Sequence, residues 1–213
     1  MSKKYNQYSG SAPQYSAIGS PMKLNLMPGL IVTIATASGF FFVNPAQALN
    51  LRTERPDLFD IFNSWAQEIQ IGDNETNLMA LDPTTLRWAG GVDSVDVFFI
   101  NEGAGYRNQL FYSANGGPSQ IIFDDIASPE SIGSEADGPL SLGDGVNLGT
   151  FNGKTALDFT IKAHGAVDPN GHIFGADIES NPDGLQHLIA YEYFDTIDEE
   201  NWVVLGFEDL SGI

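Results

Sequence analysis

The 213 residues include 28 acids against 9 lysines and arginines, a formal charge of −19. That excludes a cation-lined surface able to hold nucleic-acid phosphates, so no nucleic-acid partner is expected. The chain has no cysteine, which excludes a disulfide framework, a thiolate metal site, a cysteine nucleophile and a lipidated cysteine. Its 42% hydrophobic and 17% charged residues, with 23 glycines and 11 prolines, fit a folded, turn-rich domain rather than a disordered tail.

Residues 1–48 contain Lys3, Lys4 and Lys23 and no acid, and the stretch Gly29–Val43 (GLIVTIATASGFFFV) carries no charge. A cationic segment, an apolar run and then Asn44-Pro45-Ala46-Gln47-Ala48 are the three parts of a secretory signal, with cleavage expected after Ala48. Met22-Lys23 would start a signal of ordinary length, which makes residues 1–21 an extended leading region or an upstream start. A membrane-spanning helix is the alternative, but it needs about 20 apolar residues and Pro28 interrupts the approach to this run. The expected location is therefore secreted, extracellular or cell-surface, or the periplasm, with no stable membrane span after cleavage. Residues 49–213 keep all 28 acids and 6 of the 9 cations, a formal charge of −22.

Residues 49–85 read as a helical lead-in. In Pro56–Ile69 the apolar residues Leu58, Ile61, Phe62, Trp65, Ala66 and Ile69 recur at the spacing of one helical face. Pro56 suits the first turn, Asp57 suits the positive end of the helix dipole, and Gly72 can follow the stop. This predicts one amphipathic helix with its aromatic stripe in the core.

From Val92 onward the period changes to two. Val95, Val97 and Phe99 alternate with Ser94, Asp96 and Phe98, a strand with one buried face. Further strands are predicted over 109–113, 119–123, 146–151, 156–163, 185–194 and 202–207. Between them lie turn sequences such as Asn115-Gly116-Gly117-Pro118, Gly143-Asp144-Gly145 and Asn152-Gly153, whose Gly and Asn tolerate positive φ. Asn115-Gly116 and Asn152-Gly153 are the strongest hairpin signals. Residues 125–145, rich in Ser, Pro, Gly and acids, are the expected mobile loop. The predicted fold is mainly β, an antiparallel β-sandwich or jelly-roll-like domain over residues 86–213 with one N-terminal amphipathic helix.

The sequence has no G-x-S-x-G elbow, H-E-x-x-H, phosphate-binding loop or dinucleotide glycine fingerprint. His164, His172 and His187 have no metal-triad spacing and read as surface or turn-supporting residues. Asp168-Pro169-Asn170-Gly171-His172 opens like a calcium loop, and Glu179 falls at its twelfth position. Ile173, however, stands where such a loop needs glycine, which favours a turn held by Asx hydrogen bonds. Glu208-Asp209 at the end of the last apolar run, and Glu102 after the Val95 strand, could meet if their strands are neighbours. Asn74-Glu75-Thr76 has the form of a glycosylation sequon.

Four blocks carry a resemblance to a known family. They are Phe98-Phe99-Ile100-Asn101-Glu102-Gly103-Ala104-Gly105-Tyr106-Arg107-Asn108, Val146-Asn147-Leu148-Gly149-Thr150-Phe151, Asn181-Pro182-Asp183-Gly184-Leu185-Gln186-His187 and Val204-Leu205-Gly206-Phe207-Glu208-Asp209-Leu210. In this order they resemble the domain of unknown function 4114, found in exported bacterial proteins, many of them cyanobacterial. The resemblance runs from about Leu86 to the end and implies an extracellular β-rich module with no established activity. In the family the last block usually runs into an acidic, calcium-type turn and a final strand, whereas here it is followed by Ser211-Gly212-Ile213. By resemblance Glu208 and Asp209 carry over as cation ligands without those partners.

The expectation is a non-enzymatic, exported module of the cell surface or matrix, acting in adhesion or assembly on a surface protein or polysaccharide. Its cofactor would be Ca2+, with Glu102, Glu208, Asp209, Asp168 and Asn170 as candidate ligands. The alternative is a carbohydrate-binding or carbohydrate-active domain, which would need two or more of Trp88, Tyr106, Tyr112 and Tyr191 to share one exposed face.

Overall fold

A computed structural model describes residues 49–66, 78–103, 105–132 and 137–210, together with the backbone of 30–36. In chain order the elements are β1 (Leu30–Thr36), α1 (Leu51–Glu54), α2 (Pro56–Ala66), β2 (Leu78–Leu81), β3 (Asp93–Asn101), β4 (Asn108–Ala114), β5 (Gln120–Ile126), β6 (Gly145–Phe151), β7 (Leu157–Lys162), β8 (Ile173–Gly175), β9 (Leu188–Asp195) and β10 (Glu200–Phe207). Six strands pair in the order β2-β9-β10-β1-β3-β6 and four in the order β5-β4-β7-β8, and every pairing is antiparallel. The protein is mainly β and sandwich-like, as its alternating pattern requires.

One apolar cluster joins the layers. Val97, Phe99, Leu205 and Phe207 of the six-stranded sheet meet Leu110, Phe159, Ile161 and Phe174 of the four-stranded one. The alternate residues of β3 and β10 face the other way, where Trp202 packs against Phe98 and against Phe62 of α2. Phe62 and Trp65 also meet Tyr193 of β9, at centroid distances of 5.5 and 5.6 Å. Because α2 covers that face, β3 is buried on both sides from Val95 to Asn101. This is why Phe98 stands where a one-sided strand would carry a polar residue. The helix buries Leu58, Phe59, Phe62, Trp65 and Ala66. The last residues of the expected helix, 67–69, lie outside the described residues, as do the sequon at 74–76 and residues 1–29 and 37–48 of the expected export segment.

Asn115 (φ 52°) and Gly116 (φ 67°) both adopt the left-handed region, as the tight turn joining β4 to β5 demands. Asn152-Gly153 is a different case. It connects β6 to β7, which belong to different sheets, so this turn crosses the sandwich edge and does not close a hairpin. Within residues 125–145, the described parts are tied to neighbours: Leu140 N–H donates to the Ala127 carbonyl, and Gly143 N–H donates to that of Phe99. The lead-in also belongs to the sandwich, since β2 is the edge strand beside β9.

The apolar run expected to serve as an export signal supplies β1. In the full chain Leu30–Thr36 pairs with β10 on one side (Leu30 opposite Phe207) and with β3 on the other (Ile31 opposite Asn101). Among the described residues no helix is long and apolar enough to cross a membrane, which says nothing of strands.

Candidate functional site

The topology brings two of the flagged acids together. β1 is antiparallel to both β3 and β10, so β3 and β10 run parallel to each other and end at the same rim of the sheet. Glu102 follows β3 directly and Asp209 lies two residues past β10. They are 1% and 5% exposed. Burial raises the Glu102 carboxyl to about 8, and the neighbouring charges of Asp209 and Asp125 add to the shift. Asp209 is raised as well, chiefly by burial, against a hydrogen bond from Asn108 that favours its charged form.

Neither carboxyl oxygen of Glu102 has a hydrogen-bond partner of normal geometry, although the Ser128 backbone N–H gives its charged form some support. The Ser131 hydroxyl is buried and unpartnered too. It sits in the turn after β5, where the next residue, Ile132, donates its N–H to the Glu102 carbonyl (3.1 Å). Asn101 fixes the strand end. Its amide donates to Asn63 of α2 (2.6 Å), while its side-chain oxygen accepts the backbone N–H groups of Glu102 and Ile132. Buried acids without compensation are rare because both desolvation and lost hydrogen bonds penalise them.

Asn108, 1% exposed, links this rim to the other sheet. Its Nδ2 donates to Asp209 Oδ2 (2.6 Å) and its Oδ1 accepts the His164 N–H (2.8 Å). Asn108→Ala is expected to lower stability by about 2 kcal/mol, since it strands a buried carboxylate and a backbone donor together. Urea denaturation measures the difference, and a loss under about 0.5 kcal/mol would remove this link from the account.

The remaining candidates are engaged within their own turns. Glu208 is raised by burial, but its Oε1 accepts the Leu210 N–H (3.1 Å) in its own turn. Asp168 accepts the Asn170 N–H (2.8 Å), forming the Asx turn that the missing glycine favoured, and Asn170 is exposed. Among the described residues no group of three or more His, Asp or Glu is placed to hold a metal ion. Glu102 and Asp209 are the acids that converge, and they are hard oxygen donors of the kind calcium takes.

His187, expected at the surface or in a turn, is 3% exposed and stacks on Phe174 at 3.9 Å. Its Nδ1 faces the Glu208 carbonyl (2.8 Å) and its Nε2 faces Asp183 (2.9 Å). Both partners are oxygen acceptors, so this residue anchors the last block to the turn before β9.

The aromatic residues are distributed against a sugar platform. Trp88 and Tyr112 are buried, Tyr191 is half-buried on β9, and Tyr106 is exposed beside His164. A cleft of about 510 Å³ lies between β2, the loop 86–93 and the start of β10, with Asp82, Asp93, Glu192 and Glu200 among its lining residues. The chain matches no family model, no curated protein and no solved structure.

Proposed function

We infer that the protein is an exported, non-enzymatic module of the cell surface or extracellular matrix, acting in adhesion or assembly, with one end of its sandwich ordered by calcium. The observation that carries the cation part is Glu102, a buried carboxyl whose oxygens lack a hydrogen bond of normal geometry and which feels the charge of a second buried carboxyl at Asp209. A divalent ion there would remove the repulsion and supply the missing partner. The export segment, the −22 charge of residues 49–213 and the blocks resembling the domain of unknown function 4114 support the wider reading.

Thermal melting at pH 8 with and without millimolar calcium tests it. A ligand at about 100 times its Kd stabilises the native state by about 2.7 kcal/mol, or roughly 5–10 °C for a chain of this size. Glu102→Gln should abolish the response. A wild-type melt that calcium leaves unmoved rejects the cation site.

A further inference from the structure

The six-stranded sheet is continuous only through β1. On one side of it stand β2, β9 and β10, and on the other β3 and β6. Adjacent strands lie about 4.8 Å apart, so without β1 the axes of β3 and β10 would flank a slot one strand wide. Closing that slot would require one half of the sheet to slide by a full strand spacing over the core, pulling Leu205 and Phe207 off the opposing layer. Leaving it open would strip the ladder partners from Val95–Asn101 and Trp202–Phe207 in the middle of the sheet.

The segment that fills the slot also has the composition of an export signal to be removed after Ala48. One stretch of chain is thus asked both to complete the fold and to leave it. The two demands are compatible when the position is filled twice. We propose that the place between β3 and β10 is a strand-acceptor site, held by residues 30–36 in the precursor and taken in the exported protein by an extended segment of a separate polypeptide.

The slot defines that segment's chemistry. It runs antiparallel to both neighbours for about seven residues and is hydrogen-bonded on both sides, so it has no proline at ladder positions. It is apolar and rich in β-branched residues, as Leu30-Ile31-Val32-Thr33-Ile34-Ala35-Thr36 is. Cationic flanks would suit the −22 charge of the acceptor, as the lysines preceding β1 do. The vacating step rests on the export reading, whereas the slot itself does not.

A protease site placed within residues 37–48 of the folded full chain tests the slot. After the cut, the protein is challenged with a fluorescent peptide carrying residues 29–37, and in parallel with the same peptide bearing Thr33→Pro. The resident segment should stay bound until challenged and then exchange for the labelled peptide, with roughly ten-fold less capture of the proline version. Three outcomes overturn the proposal: the resident segment leaves and the melting curve of the remainder is unchanged, no labelled peptide ever enters, or the cut protein closes its edge on a second copy. Intact mass of the protein recovered from producing cells reports separately whether residues 1–48 are removed.

Discussion

Glu102→Gln raises the melting temperature at pH 8, by roughly 10 °C, and leaves it nearly unchanged near pH 4.5. The direction follows from linkage. At pH values well below 4.5 the carboxyl is protonated in folded and unfolded chains alike. Between its ordinary value of 4.5 and the folded value of about 8, the native protein keeps a proton that the unfolded chain gives up. Wild-type stability therefore falls as pH rises through that window, and above about 8 the whole cost of a buried charge remains. That cost is on the order of 3 kcal/mol once partial hydration of the rim is allowed for. Gln keeps the shape and cannot ionise, so its melting temperature changes less with pH. Asp209 and Asp96, both raised chiefly by burial, still titrate in the variant and leave a residual slope. Parallel pH–melting curves for the two proteins would show that Glu102 is not the group that carries this cost.

Arg55→Ala should cost about 3 kcal/mol, and the loss should resist added salt. Arg55 lies between α1 and α2 and binds three acids: Asp57 (2.9 Å), Asp195 (2.7 Å) and Asp198 (2.6 Å). The Asp195 side chain is only 3% exposed. Removing its cation leaves a buried charge to which the Ile197 N–H still donates (2.9 Å), and breaking a buried pair from one side is strongly destabilising. Arg52, whose pair with Glu130 is about half exposed on both sides, is the control. Arg52→Ala should change stability by less than about 1 kcal/mol. Chemical denaturation of both variants at low and high salt separates the cases. Equal small losses would reduce the three-acid contact of Arg55 to a surface feature.

Seven strands were legible because their β-branched and aromatic runs are cut by Gly, Asn and Pro, and each was placed within a few residues. The strands that escaped did so for physical reasons. β2 and β8 have four and three residues and carry partly exposed apolar side chains at the sheet edges, too short for a period to appear. β1 has a uniform apolar run, and such a run looks alike whether it is to be threaded through a membrane or buried in a sheet. The meeting of Glu102 with Asp209 was conditional on neighbouring strands. The strands are next-but-one neighbours, and the acids meet because β1 between them sets both in the same direction. Asn108, Asn101 and Arg55 gave no local signal, since their partners lie across the fold and only long-range pairing selects them.

The position of β10 has a consequence for how the chain is made. The last strand in sequence is second to the first strand in space, and Leu30 waits opposite Phe207. Within this chain the two halves of that sheet are joined only when β1, the first strand made, meets β10, the last of the described strands. Such distant pairing slows folding, because the entropy of closing a long loop is lost before the contacts that repay it are made.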